Sequence, residues 1–277
     1  MIFNYRPLHN AAQLKLIQMP TALVTGASSG IGLELAKIFA RNRTDLVLVA
    51  RSEDKLNDLA HELRQKFSVQ VKVVAADLAD MHQVENLYNV LQLENVFIDY
   101  LVNNAGFGEY GMFHETDWNK EAKMIDLNVK SLTYMTKLFV REMVKRKTGK
   151  ILNVASTASF QPGPTMAVYY ATKAYVLSFS EAISNEFREY NITVTALCPG
   201  ATRSGFQKVA GVEEIKLVKG KKLPSSASVA DFGYRAMMKG KVVAVPGFLN
   251  KLMVTGVRLS PRALVRTIVR NMQEKAG

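Results

Sequence analysis

The chain has 277 residues, 48% of them hydrophobic and 22% charged, which suffices for one large α/β core. No apolar run reaches the roughly 18 residues of a transmembrane helix, and polar residues interrupt the first twenty positions too often for a signal peptide. Four histidines without metal-ligand spacing argue against a metal site, and a single cysteine suits a reducing compartment. We therefore expect a cytoplasmic protein without a bound metal.

The net charge of +12 is unevenly spread, because eight basic residues and one acidic residue occur between positions 239 and 277. A basic balance is typical of proteins that contact nucleic acid, an anionic membrane or acidic ligands. The chain carries no basic–aromatic nucleic-acid motif, so we expect no nucleic-acid partner.

Short apolar runs alternate with segments of helical periodicity along the chain. The first element is a strand over residues 21–26, followed by a helix over 31–42. Further strands are predicted over 46–50, 71–76, 97–102, 150–155, 192–197 and 242–245. Further helices are predicted over 54–67, 81–91, 117–147 with a break near Asn128, 167–190 and 228–238.

Continuous apolar strands that alternate with helices indicate a parallel sheet covered on both faces. The sequence therefore predicts a doubly wound α/β Rossmann fold of about seven strands. We divide the chain into an N-terminal extension (1–18), a dinucleotide-binding and catalytic domain (19–247) and a basic amphipathic helical appendage (248–277) packed on the domain or a partner.

The turn after the first strand reads TGASSGIG over residues 25–32. Its glycines allow a tight turn and a close approach of the backbone to a pyrophosphate, and the helix that follows offers unpaired N–H groups. The spacing differs from the general GxGxxG fingerprint, so a purely structural turn is the alternative. The position between a strand and an amphipathic helix favours nucleotide binding.

Further motifs follow this turn in a fixed order, and they span about residues 20–205. They are Ala76-Asp77-Leu78, Asn103-Asn104-Ala105-Gly106, Asn128, Ser156, Tyr169-x-x-x-Lys173 and Pro199-Gly200-Ala201-Thr202. The ordered set resembles the short-chain dehydrogenase/reductase family, in the type that carries TGxxxGxG and YxxxK motifs.

The resemblance implies a cofactor site and assigns a role to several residues. Asp77 would hydrogen-bond the adenine, Asn104 would line the cofactor channel, and Asn128 would fix a helix bend and a water that links Lys173 to solvent. The implied cofactor-binding residues are Gly26, Ser28, Ser29, Gly30, Ile31, Gly32, Arg51, Asp77, Leu78, Asn104, Ala105, Gly106, Tyr169, Lys173, Pro199, Gly200 and Thr202.

Tyr169 and Lys173 lie four residues apart on a helical pattern, so they share one face. The free phenol has a pKa of about 10, and a nearby cation lowers it, so Tyr169 could exchange a proton with a carbonyl or alcohol oxygen. Ser156, at the end of the fifth predicted strand, could hold the same oxygen. With Asn128, these residues form the predicted catalytic set.

Each of these assignments has a rival interpretation. YxxxK pairs are common on surface helices, Tyr170 lies only three residues from Lys173, and Thr157 and Ser159 compete with Ser156. A non-catalytic NADP(H)-binding regulator or scaffold on the same fold is the alternative function.

The residues that follow the second strand predict which cofactor binds. NAD sites of this fold usually place an acidic side chain there, whereas an arginine suits the 2′-phosphate of NADP(H). The chain has Ala50 and then Arg51, so we expect NADP(H). In the alternative interpretation, Arg51 only pairs with Glu53 or Asp54 at the surface.

The segment after the sixth strand, roughly residues 203–225, would by the same resemblance fold over the substrate. It alternates apolar side chains with lysines, which suits a hydrophobic carbonyl or alcohol substrate, such as a ketoacyl chain, a steroid-like molecule or another ketone; a solvated flexible lid is the alternative.

Along the appendage, apolar residues from Leu264 to Met272 lie beside Arg262, Arg266 and Arg270. We expect them to pack on the body or a partner of a dimer or tetramer, and the alternative is an anionic membrane surface.

Overall fold

The computed structural model describes residues 19–276, so the predicted extension over 1–18 lies outside the described residues. A parallel sheet of seven strands forms its centre, with strand order β3-β2-β1-β4-β5-β6-β7. The strands are β1 (Thr21–Thr25), β2 (Asp45–Ala50), β3 (Val71–Ala75), β4 (Tyr100–Asn103), β5 (Gly149–Val154), β6 (Ile192–Leu197) and β7 (Val243–Ala244).

Ten α-helices accompany the sheet within the described residues. They are α1 (Gly30–Arg41), α2 (Glu53–Phe67), α3 (Met81–Leu93), α4 (Trp118–Ile125), α5 (Leu132–Arg146), α6 (Ala167–Glu186), α7 (Phe206–Ala210), α8 (Ser226–Met238), α9 (Phe248–Leu259) and α10 (Arg262–Gln273). No helix in residues 19–276 is long and apolar enough to cross a membrane.

Successive residues of each strand point to opposite faces of the sheet, and this alternation builds two cores. Ala22 and Val24 of β1 pack with α1, α2 and α8 in one cluster. Leu23 of β1 packs with α3, α5 and α6 in the other. The helices therefore cover both faces, and the predicted doubly wound Rossmann fold is confirmed.

The fourth strand and the long helix over 117–147 differ in detail between the prediction and the structure. The fourth strand begins at Tyr100 rather than at residue 97, because Asp99 accepts hydrogen bonds from the Thr21 N–H at 2.9 Å and from Arg146 at 2.7 Å just before the ladder starts. The long helix over 117–147 is divided by a π-helical stretch, Asp126–Ser131, around the predicted break at Asn128. Such stretches are frequent at functional sites.

The C-terminal segment forms two helices where the sequence pattern singled out one amphipathic stretch. Val265 and Val269 on α10 are buried in a cluster with Met166, Tyr170 and Ile215. The predicted boundary between domain and appendage at residues 247 and 248 stays a proposal.

Candidate active site

The glycine turn between β1 and α1 is built so that only small residues fit. Gly26 and Gly30 have φ angles of +64° and +60°, in the left-handed region that favours glycine. A Cβ on Gly32 would collide with the Gly26 carbonyl oxygen. Ser29, the N-cap of α1, makes no side-chain capping bond, so the first-turn N–H groups can meet an anionic ligand.

Several hydrogen bonds join this turn to the end of β4. The Thr25 hydroxyl donates to the Val102 carbonyl at 3.1 Å and accepts from the N–H groups of Asn104 at 2.9 Å and Ala105 at 3.0 Å. The Asn104 amide donates back to the Thr25 carbonyl at 2.9 Å. Asn104 therefore holds the turn as well as facing the cavity. Thr25 was not predicted to take part, although it is the first residue of the motif.

The carboxyl ends of the strands open into a cavity of about 410 Å³. It brings together every predicted cofactor-binding residue except Gly32, which packs beneath the turn, and every predicted catalytic residue except Asn128. Those lining it are Gly26, Ser28, Ser29, Gly30, Ile31, Arg51, Asp77, Leu78, Asn104, Ala105, Gly106, Ser156, Tyr169, Lys173, Pro199, Gly200 and Thr202.

Arg51 lies exposed at the cavity where β2 ends. In the described part of the chain it forms no ion pair, with Glu53 and Asp54 or with any other acid. Among the described residues, Asp77 is the one acidic side chain that lines the cavity. A free guanidinium at this position fits the bidentate geometry of a phosphate group.

Helix α6 and the turn after β5 bring three of the four predicted catalytic residues together. The Lys173 ammonium lies 5.9 Å from the centroid of the Tyr169 ring and donates to the Val154 carbonyl at 2.8 Å. Ser156 lies near the Tyr169 phenol in the same cavity, and its hydroxyl donates to the Pro199 carbonyl at 3.4 Å. Its hydroxyl also accepts from the Ala158 N–H at 3.1 Å, which caps the short 3₁₀ turn.

The electrostatics of this group differ from the sequence-based expectation. Loss of water contact raises the pKa of Tyr169 above its usual value, and the hydrogen bond from Ser156 offsets only part of that rise. Burial also lowers the pKa of Lys173 to about 8. The Lys173 ammonium is directed at the Val154 carbonyl rather than at the phenol, so its predicted effect on the Tyr169 pKa stays a prediction.

Asn128 lies behind the cavity, inside the π-helical stretch. Its amide accepts from the Phe107 N–H at 3.2 Å and donates to the Phe107 carbonyl at 2.9 Å and to the Thr172 hydroxyl at 3.1 Å. Asn128 thus fixes both the loop after β4 and the start of α6, and Thr172 precedes Lys173 by one residue. The predicted water that links Lys173 to solvent stays a prediction.

Two of the residues that compete with Ser156 and Tyr169, namely Ser159 and Tyr170, have structural partners of their own. The Ser159 hydroxyl donates to the Lys173 carbonyl at 2.7 Å. The Tyr170 hydroxyl accepts from the Gln273 amide, which also accepts from Thr165 at 3.0 Å. Thr157 and Tyr170 line the cavity beside Ser156 and Tyr169, so the choice of Ser156 and Tyr169 as the catalytic hydroxyl groups stays a prediction.

The substrate side of the cavity is lined by residues that the motifs did not indicate. The Phe206 ring lies 5.3 Å from the Tyr169 ring, and Met166, Val212 and Gln273 complete the wall. The family resemblance implied a lid over 203–225, and its apolar residues Phe206, Val209, Ile215, Leu217 and Val218 do line the cavity. Gln273 carries no sequence signal, since it reaches the site from the end of the chain.

The end of the chain is bonded to this lid. The Leu217 N–H donates to the Met272 carbonyl at 3.1 Å, and the Lys216 N–H donates to the Glu274 carbonyl at 2.9 Å. Lys216 and Glu274 also form an ion pair at 2.8 Å. Residues 272–276, which we call the C-terminal strap, therefore hold the lid over the cavity.

Residues 20–214 match the sequence model of the family described as short chain dehydrogenase. The chain belongs to the short chain dehydrogenase family. The family is one of oxidoreductases, and the predicted family is confirmed.

Relatives of this family resemble the chain closely. It is 35% identical over 184 residues to a human very-long-chain 3-oxoacyl-CoA reductase, an alignment that covers 64% of this chain and 58% of that protein. The chain therefore spans less than two thirds of the length of this curated relative. It is 32% identical to a short-chain dehydrogenase from Sphingobium yanoikuyae solved in complex with NADPH, with a TM-score of 0.78 over 87% of this chain and 94% of that one. A bulky-bulky ketone specific alcohol dehydrogenase from Comamonas testosteroni is 29% identical, with a TM-score of 0.75 over 87% of this chain and 92% of that one.

Proposed function

We propose that the protein is an NADPH-dependent reductase that converts a ketone on a bulky apolar substrate into an alcohol. The observation that carries this proposal is the shared cavity of Ser156, Tyr169 and Lys173, which also contains the open glycine turn and Arg51. The NADPH bound to the relative from Sphingobium yanoikuyae supports the choice of cofactor.

The cofactor would lie along the carboxyl ends of β1, β2 and β4. Its pyrophosphate would meet the backbone N–H groups of Ser29, Gly30 and Ile31 at the start of α1. Its 2′-phosphate would pair with Arg51, which forms no ion pair in the described chain. When bound, NADPH supplies the hydride that reduces the carbonyl carbon.

The remaining cavity residues would complete the cofactor site. Asp77 and Leu78 would contact the adenine end. Asn104, Ala105, Gly106, Pro199, Gly200 and Thr202 would line the channel towards the catalytic group.

Tyr169 would give its proton to the substrate oxygen as the carbonyl is reduced. Burial raises the pKa of Tyr169, so the phenol carries at neutral pH the proton that it would donate. Ser156 would donate a hydrogen bond to the same oxygen, and Lys173 would favour the developing phenolate as a nearby cation. Asn128 would act as a positioning residue, because it fixes Thr172 on α6.

The substrate end of the cavity favours an apolar molecule. Phe206, Met166 and Val212 surround Tyr169 there, and the strap at residues 272–276 closes the lid over them. The names of the relatives agree with this view, since one acts on very-long-chain 3-oxoacyl-CoA and another on bulky ketones. We therefore propose a ketone with a long or bulky apolar part, which includes ketoacyl thioesters.

NADPH consumption across a panel of carbonyl compounds tests this proposal. The panel contains long-chain ketoacyl thioesters, steroid ketones, quinones, and short ketones and aldehydes. We expect turnover of at least one bulky ketone, with kcat/KM at least roughly tenfold above that of its short-chain analogue. NADPH binding without turnover of any compound would favour the alternative, a non-catalytic NADP(H)-binding regulator or scaffold.

A further inference from the structure

Helix α9 carries a row of large apolar side chains on its outer surface. Phe248, Leu249, Leu252 and Leu259 are 79%, 78%, 59% and 83% exposed. Phe248, Leu252 and Leu259 recur at intervals of four and seven residues, so they project from one side of the helix. We call Phe248, Leu249, Leu252 and Leu259 the α9 stripe.

The opposite side of α9 is apolar as well. Val254 is buried against β6 and α6, and Met253 packs on the same cluster. Val257 packs on the cluster that contains Val265 and Val269 of α10. Apolar side chains thus lie on the outer side of α9 as well as on its buried side, and an exposed apolar row of this kind marks a docking surface.

The charges around the α9 stripe indicate the nature of that partner. No acidic residue occurs between Asp231 and Glu274, and this interval contains eight basic residues. Lys251 and Arg258, seven residues apart, lie along one edge of the stripe, where the Arg258 guanidinium also lies over the Phe160 ring at 5.5 Å. Within residues 19–276, neither forms an ion pair.

We propose that the α9 stripe docks on the surface of an anionic lipid bilayer, with Lys251 and Arg258 against the headgroups. An in-plane helix with Phe and Leu on one face and basic residues at its edge is suited to this interface. A second copy of the chain fits less well. A twofold contact through this face would bring the basic residues of two copies together, and α9 itself carries no acidic residue to balance them.

Sedimentation with lipid vesicles tests the proposal with the full chain. The wild type should sediment with phosphatidylglycerol vesicles and much less with phosphatidylcholine vesicles, and added salt should weaken the binding. The double variant Phe248→Ser/Leu252→Ser should bind phosphatidylglycerol vesicles at least about tenfold more weakly. Leu93→Ser removes an equally exposed leucine, 82% exposed at the end of α3, and should bind like the wild type.

A charge variant and a measurement without lipid separate the other occupants. Lys251→Glu should reduce binding roughly tenfold, whereas Lys137→Glu on α5 should not. The variants should melt like the wild type, because these side chains are exposed. The proposal is overturned if the wild type does not sediment with anionic vesicles, or if Phe248→Ser/Leu252→Ser binds them as tightly as the wild type does. It is also overturned if that variant converts a wild-type dimer into a monomer in the ultracentrifuge, which would make the stripe an interface between copies. None of these outcomes depends on the proposed reductase activity.

Discussion

The double variant Val265→Ala/Val269→Ala tests whether α10 is part of the folded body. Both valines are nearly fully buried, at 5% and 3% exposed, and they pack on Ile215 of the lid and on Tyr170. The two substitutions remove four carbon atoms from this cluster. At about 0.8 kcal/mol for each buried carbon, the transfer free energy lost is about 3 kcal/mol, and unfilled cavities add to it.

A smaller effect opposes this loss. Alanine has a higher helix propensity than valine, by at most about 0.7 kcal/mol at each position. We therefore expect the free energy of unfolding to fall by about 2 kcal/mol or more, a large part of a typical 5–15 kcal/mol. Urea titration followed by circular dichroism measures this change.

Thr267→Ala is the matched control, because Thr267 has nearly the shape of valine but lies exposed on the same helix. It should change the free energy of unfolding by less than about 0.5 kcal/mol. If the double variant unfolds at the same urea concentration as Thr267→Ala, then α10 does not stabilise the body and the packing described here is wrong.

Three further predictions concern the site itself. Arg51→Ala should reduce the preference for NADPH over NADH by roughly tenfold or more in fluorescence titrations, and equal affinities in the wild type would refute the assignment. Gly32→Ala should weaken NADPH binding at least about tenfold, because its Cβ would collide with the Gly26 carbonyl, whereas Gly256→Ala, with open space around it, should not. Lys173→Met should abolish turnover yet stabilise the fold at pH 7 by roughly 1–3 kcal/mol, because burial lowers the Lys173 pKa from 10.5 to about 8. That gain should shrink as the pH rises from about 8 towards 10.5, since the unfolded chain binds the extra proton in this window; a less stable variant at pH 7 would contradict it.

The order of strands and helices could be predicted because each element has a clear period. Apolar runs such as the one in β6 match the observed strand bounds, Ile192–Leu197, and the motifs at strand ends meet because parallel strands end at one edge of the sheet. Helix α9 was not predicted as a separate helix, because apolar residues lie on its buried side as well as in the α9 stripe and no one face stands out in the sequence. Spacing alone placed Lys173 beside Tyr169, but it could not show that the ammonium is directed at the Val154 carbonyl.

The substrate wall could not be predicted for a different reason. Gln273 meets Tyr170 across more than one hundred residues of sequence, and the contact depends on how α10 folds back over the lid. Local patterns carry no information about such a contact. The predicted cytoplasmic location and the dimer or tetramer stay predictions.

The most direct test of the central claim is the rate of NADPH-dependent ketone reduction by Tyr169→Phe. This change removes one hydroxyl group, and the account predicts that turnover falls at least about a hundredfold while NADPH affinity stays within a few-fold of the wild type. Tyr175→Phe removes a hydroxyl from the outer side of the same helix, where it bonds only Thr133, and should retain wild-type turnover. Wild-type-like turnover in Tyr169→Phe would contradict the account, because the proton would then have to come from another group.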